Sequence, residues 1–191
     1  MFLNLSLPSF VEESTMSEIC YNGSHGTSLN LSGEIVKLGF KLGDGRAGNG
    51  VYFWVEGPLY LQLAKEWFID RRNKHRYKEL NPECAIIIVS LKAQPVEYVD
   101  FEDVGLKGQI YNMGIQQGIN LGNDREIAKL YNLFISILEE ELKTMIKIFT
   151  IRAAPPEGSS YPMKAIGAPL CCVARTLNSI TINDVRSCGG V

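Results

Sequence analysis

Histidine is scarce in this 191-residue chain: His25 and His75 are the only two. Zinc-type sites draw on several His and Cys ligands at close spacing, so no metal site is expected. The five cysteines, Cys20, Cys84, Cys171, Cys172 and Cys188, form an odd set without a C-x-x-C pair. That arrangement suits neither a disulfide framework nor a metal knuckle, and buried reduced thiols are expected. An excess of charge of one sign is also missing, because 19 Lys and Arg stand against 21 Asp and Glu. The formal net charge of −2 excludes a global pull toward nucleic acid or anionic membrane; any such attraction has to be local. No stretch approaches the roughly 18–20 apolar residues that span a bilayer. The opening MFLNLSLPSFVEESTMSEI lacks a basic n-region and is broken by Glu12 and Glu13, unlike a secretory signal. A cytoplasmic protein with no membrane partner is the expectation. Internal repeats and low-complexity segments are absent as well.

What is present is the composition of an ordinary globular protein, 46% hydrophobic and 21% charged. The length suits a single core. Residues 1–17 carry no clear period and read as an arm. Residues 18–186 read as one domain, and 187–191 as a loose tail.

Glu18 to Tyr21 lead into a turn, Asn22-Gly23-Ser24, directly before His25-Gly26-Thr27. Leu31 to Leu38 reads as a short helix, with Ile35 and Leu38 inward and Gly39 as its stop. A glycine-dense loop from Gly43 to Gly50 then runs into a strand, Val51 to Val55. Pro58 suits the first turn of a helix reaching about Arg72, with Leu59, Leu63, Trp67 and Phe68 as its buried stripe. Ala85 to Leu91 is the strongest strand signal, apolar toward both faces and therefore central. Val96 to Val99 reads as a short edge. The longest helix begins near Asn123, with Glu126 placed as in a capping box. Ile127, Leu130, Tyr131, Phe134, Ile137, Leu138 and Leu142 give it one apolar face. Glu139 to Glu141 are expected to be solvated. Ile146 to Ile151, Leu170 to Val173 and Ile180 to Ile182 read as further strands. Strands do not alternate regularly with helices, which points to an α+β fold rather than a doubly wound sheet.

Chemistry concentrates in one ordered set. His25-Gly26-Thr27-Ser28 is followed by Ile35 and Gly39-Phe40, then by the glycine-rich segment, then by Gly50-Val51-Tyr52-Phe53, and finally by a helix containing Ala64 and Trp67. The segments HGTS, IVKLGF, GNGVYF and AKEWF in that order resemble the ADP-ribosyltransferase superfamily, in the branch of poly(ADP-ribose) polymerases, diphtheria-type toxins and bacterial toxin relatives. The resemblance covers about residues 18–70. It implies a split β-sheet core with flanking helices and cleavage of NAD through an oxocarbenium-like state. It further implies that His25 hydrogen-bonds a ribose hydroxyl, the Gly26 backbone clamps the carboxamide, and Tyr52 stacks on the nicotinamide ring. Thr27 and Gly50 belong to the same binding segments. Tyr60 is either the opposing aromatic wall or helix packing, and Arg46 either meets a phosphate or faces solvent.

Two features depart from the family pattern. Aligning Tyr21-Asn22-Gly23-Ser24 with the motif would put Asn22 in the histidine's place, but only His25 sets Ile35 and Gly39-Phe40 at their usual distances. The family's late glutamate has no clear counterpart either. Pro169-Leu170-Cys171-Cys172-Val173 opens without a carboxylate, and Glu157 is the nearest candidate. Single transfer is then favoured over chain elongation. The implied activity is that of a mono-ADP-ribosyltransferase effector of toxin or defence type. Its acceptor would be nucleic acid or protein, and a neutralising antitoxin its partner. The cations Arg71, Arg72, Lys74 and Arg76 either contact an acceptor's phosphates or cap a helix C-terminus in water. RNA 2′-phosphotransfer through Arg152 and Arg175, and an inactive NAD- or ADP-ribose-binding module, remain as alternatives.

Overall fold

The computed structural model describes residues 17–188. Most of the expected arm (1–17) and tail (187–191) therefore lies outside the described residues. Ser187, the first residue of the expected tail, belongs to the last strand and pairs with Ala85. The elements follow in the order β1 (Ile19–Ser28), α1 (Leu29–Leu38), β2 (Gly43–Gly45), β3 (Gly48–Val55), α2 (Tyr60–Asn73), β4 (Cys84–Ala93), β5 (Tyr98–Asp100), α3 (Val104–Gln116), α4 (Asp124–Leu142), β6 (Ile148–Arg152), α5 (Met163–Ile166), β7 (Leu170–Ala174) and β8 (Ile180–Ser187). One sheet runs β5-β6-β7-β3-β1-β4-β8, with β2 attached to β3 alone. Only β5 and β6 run parallel, and every other pairing is antiparallel. The architecture is α+β, as the irregular alternation of elements implied.

Alternation along β4 sorts its apolar run between two cores, which is why every position from Cys84 to Val89 is buried. Ile86 and Ile88 join Trp54, Leu63, Leu130, Phe134 and Leu138 under α2 and α4. Ile87, Val89 and Leu91 join Phe40, Val51 and Phe53 on the other face. Each such side chain stabilises the fold by roughly 1.5–3 kcal/mol. Neighbouring Cys171 and Cys172 divide between the same two cores, as expected of a strand.

Several local expectations need correction. Leu38 does not turn inward: it is 76% exposed, and Ile35 alone packs against the core. Gly43 to Gly50 is a hairpin rather than a loop, with Gly43 opposite Gly50 and Gly45 opposite Gly48. Gly48 at φ 103° gives the tight turn a conformation that L side chains resist. Trp67 stays half-buried beneath the Arg71 guanidinium, and the stripe on α2 is Leu63, Ala64 and Phe68. Helix α3 was not expected, because Gly105, Gly108 and Gly114 dilute its period; Asp103 caps it by accepting from Leu106 N. Asn123 caps α4 as read, but Glu126 turns to the Asn120 N–H at 2.6 Å, so the reciprocal half of the box is missing. Glu139 is not solvated. It accepts from Ile146 N and pairs with Arg175. Cys20 is exposed and Cys188 half-buried, so only three of the thiols are buried.

Candidate functional site

Strands β1 and β3 pair at only two positions, Gly23 with Val55 and Ser24 with Trp54. Beyond Ser24, β1 keeps to β4 as far as Ser28, while β3 keeps to β7 from Trp54 to Val51. The sheet therefore forks between the HGTS segment and the VYF segment, and His25 stands at the fork. Its Nδ1 lies 3.0 Å from the Tyr52 carbonyl oxygen. A carbonyl only accepts, so Nδ1 carries the proton and Nε2 is an acceptor. Burial lowers the His25 pKa; the Tyr52 carbonyl opposes that shift and the Arg71 charge adds to it. The imidazole is thus neutral at physiological pH. Its ring meets Phe40 edge-on, with centroids 5.5 Å apart, and lies 5.9 Å from Phe53.

Helix α2 closes one side of the fork. Ser24 Oγ donates to the Tyr60 carbonyl at 2.7 Å. A Cβ on Gly26 would lie 1.7 Å from the Ala64 carbonyl oxygen, so the helix backbone rests directly on β1 at this glycine. Thr27 stands beside the Tyr77 hydroxyl, and Ser28 Oγ donates to Glu79 at 2.8 Å. These contacts tie the α2–β4 connection to the end of the HGTS segment.

Tyr52 belongs to the opposite core from the rings that flank His25. Its hydroxyl donates to Gly48 O at 2.7 Å and accepts from Ala47 N at 3.0 Å. Burial raises its pKa, which keeps the phenol neutral. Gly45 is bare because a Cβ there would fall 2.1 Å from the Tyr52 ring. Gly50 lacks a side chain for a similar reason, since its Cβ would meet Val173 at 2.5 Å.

His25, Gly26 and Thr27 follow one another along the fork and His25 bonds the Tyr52 carbonyl, while the Tyr52 ring packs into the core opposite the rings around His25. The remaining candidates are placed elsewhere. Tyr60 is half-buried beside a cavity of about 220 Å³ shared with Leu63, Tyr161 and Pro169. Arg46 forms an exposed ion pair with Asp124 at 3.2 Å. Glu157, 80% exposed, pairs with Lys74 at 3.1 Å. Its loop is anchored on α2, where Ser159 and Ser160 donate to Glu66. Neither Arg46 nor Glu157 bonds to His25 or Tyr52.

The basic run is partly committed to α2 itself. Arg71 lies over Trp67 and Arg72 over Phe68, both at 5.7 Å, and Lys74 holds Asp70 at 2.7 Å. Arg76 is exposed, with no ion pair among the described residues. Arg152 bonds the Ala168 carbonyl, and Arg175 bonds Glu139 and the Ile146 carbonyl, so both are structural clamps. Tyr77 and Glu79 were not singled out in the sequence, although Tyr77 is the one aromatic residue of the basic run. They line a cleft of about 850 Å³ together with Phe68, Arg72, His75 and Cys84. Neither of the two cavities reaches His25, Gly26 or Tyr52.

Among the described residues there is no group of three or more His, Cys, Asp or Glu side chains placed to hold a metal, and no helix long and apolar enough to cross a membrane. No protein-family model matches this chain, and no curated protein matches it significantly.

Proposed function

We propose that this chain is an NAD-dependent mono-ADP-ribosyltransferase built on a split sheet of the ADP-ribosyltransferase type. The observation that carries this activity is the fork itself: a neutral histidine, bonded through Nδ1 to the Tyr52 carbonyl, stands where two adjacent strands part. The edge of β1 facing β3 beyond Ser24 has no ladder partner, which leaves strand-edge polar groups for a ligand's amide. In this mechanism His25 Nε2 accepts from a ribose hydroxyl, and the Gly26 backbone holds the nicotinamide carboxamide. Tyr52 supplies an aromatic wall whose tilt is fixed by Ala47 and Gly48. The bond between ribose and nicotinamide breaks, nicotinamide leaves as a neutral ring, and an acceptor nucleophile joins the anomeric carbon with loss of its proton. Orientation and electrostatic stabilisation of the cationic state provide the rate. Glu157 is the one late glutamate offered for that stabilisation, and its exposed pairing with Lys74 favours single transfer over elongation.

The acceptor is a macromolecule, nucleic acid or protein, with Arg71, Arg72, Lys74 and Arg76 around the C-terminal end of α2 as its nucleic-acid contacts. An effector of this type acts in the cytoplasm and is held in check by an antitoxin protein. A second reading, an inactive module that binds NAD or ADP-ribose, is favoured by the unfilled late-glutamate position, since Glu157 is exposed and paired with Lys74. Nicotinamide release from NAD, measured alongside calorimetric binding, separates the two. Release that His25→Ala removes supports the transferase. Binding without release supports the module, and neither binding nor release overturns both.

A further inference from the structure

Strands β4 and β8 pair outward to Ala85 opposite Ser187. One step further, Cys84 stands opposite Cys188, and the Cys188 N–H donates to the Cys84 carbonyl at 3.1 Å. Directly opposed residues of an antiparallel ladder have Cα atoms roughly 4.5–5.5 Å apart and side chains on one face. That spacing falls within the roughly 4.4–6.8 Å that disulfides bridge. Cys188 stands close enough to Cys84 to help raise its thiol pKa. No other pair offers this. Cys171 and Cys172 point into opposite cores, and Cys20 lies on β1 opposite Lys92.

Access is also provided. Cys84 and Ser187 line the cleft of about 850 Å³, a volume suited to a small peptide. Arg72 lines the same cleft, and its charge and that of Lys65 act on Cys84. Glu79 and Glu83 line the cleft as well, so its charge does not select an anionic reagent. Cys188 is half-buried and is the thiol open to attack a reagent, whereas Cys84 is buried and held protonated.

We propose that Cys84 and Cys188 are an oxidation site, forming a reversible cross-strand disulfide by exchange with a low-molecular-weight disulfide. Cys188 loses its proton and its sulfur bonds to one sulfur of the reagent, whose other half leaves and takes up a proton as a thiol. Cys84 then attacks the Cys188 sulfur, and the second half departs carrying the Cys84 proton. Two protein thiols are oxidised and one small disulfide is reduced to two thiols. The bond clips the edge strand β8 to β4 and fixes one wall of the cleft.

The test uses the full chain treated with oxidised glutathione, then alkylation, proteolysis and mass spectrometry. The expected product is lighter than the reduced protein by two hydrogens, yields a linked peptide pair containing Cys84 and Cys188, and reverts with dithiothreitol. Its thermal midpoint rises by roughly 5–10 °C, as closure of a long loop implies. Cys84→Ser should stop at a mixed disulfide on Cys188 and show no such rise. A wild-type protein that remains fully alkylated at both positions, or that accumulates the mixed disulfide without resolving it, overturns the proposal. Neither outcome depends on a variant folding.

Discussion

Two glycine-to-alanine substitutions should move stability in opposite directions, and their difference measures how tightly α2 rests on the forked strand. At Gly26 an added methyl would meet the Ala64 oxygen at 1.7 Å and its carbonyl carbon at 2.6 Å, both atoms of helix backbone. Backbone cannot swing aside as a side chain can, so α2 has to withdraw. Withdrawal strains the Ser24–Tyr60 hydrogen bond, worth about 1 kcal/mol, and loosens Leu63 and Ala64. With the overpacking cost included, Gly26→Ala should lose roughly 2–4 kcal/mol. At Gly33, inside α1, a methyl meets nothing within 4 Å. Gly33→Ala should therefore gain roughly 0.5–1 kcal/mol from helix propensity alone. Urea denaturation of both variants and the wild type reads the two values directly. If Gly26→Ala is as stable as the wild type, α2 does not lie on β1 as described, and the geometry of the fork is wrong.

Other perturbations follow from the same contacts. Tyr52→Phe keeps the ring but removes the hydroxyl that joins Ala47 to Gly48, so it should cost about 1 kcal/mol in thermal or chemical denaturation while retaining NAD cleavage. His25 has a lowered folded pKa, so the unfolded chain binds its proton more readily. Its contribution to stability is complete above about pH 6.5 and is lost as pH falls toward the folded value, a slope that His25→Gln should flatten in denaturation curves across that range. Glu97 is held below the usual carboxylate range chiefly by its hydrogen bond from Lys147. The stability it contributes is present above about pH 4.3 and lost as pH falls through the depressed value, and Lys147→Met should remove that acid dependence. Glu157→Gln should change the unfolding free energy by less than about 0.5 kcal/mol, because its partner Lys74 is also exposed.

The parts legible in the sequence were those where one local pattern determines the outcome. The run from Ala85 to Leu91 reads as a strand covered on both faces, and the period from Ile127 to Leu142 as an amphipathic helix; both are so in the structure. Elements that depend on distant partners were harder to read. The Gly43–Gly50 segment looks like a loop because its pairing is held by backbone and by the Tyr52 hydroxyl, not by apolar side chains. Leu38 looks inward by spacing, yet α1 touches the sheet through few residues and its far side faces solvent. Of the candidate site, the neighbourhood of His25 and Tyr52 could be read from motif order. The bond between the imidazole and the Tyr52 carbonyl could not, because it arises from the parting of β1 and β3. Tyr77 was likewise hidden, since nothing local signals that the α2–β4 connection folds back to Thr27.

The most direct test of the central claim is transfer of label from NAD carrying a marked adenylate phosphate into macromolecules of a whole-cell lysate. The lysate would be divided between protease and nuclease treatment, with His25→Ala and Tyr52→Ala measured in parallel. An ADP-ribosyltransferase centred on the fork predicts label that enters macromolecules with the wild-type chain alone and that one of the two treatments removes. Label that persists in the His25→Ala and Tyr52→Ala proteins, or no transfer and no nicotinamide release with the wild type, would contradict it.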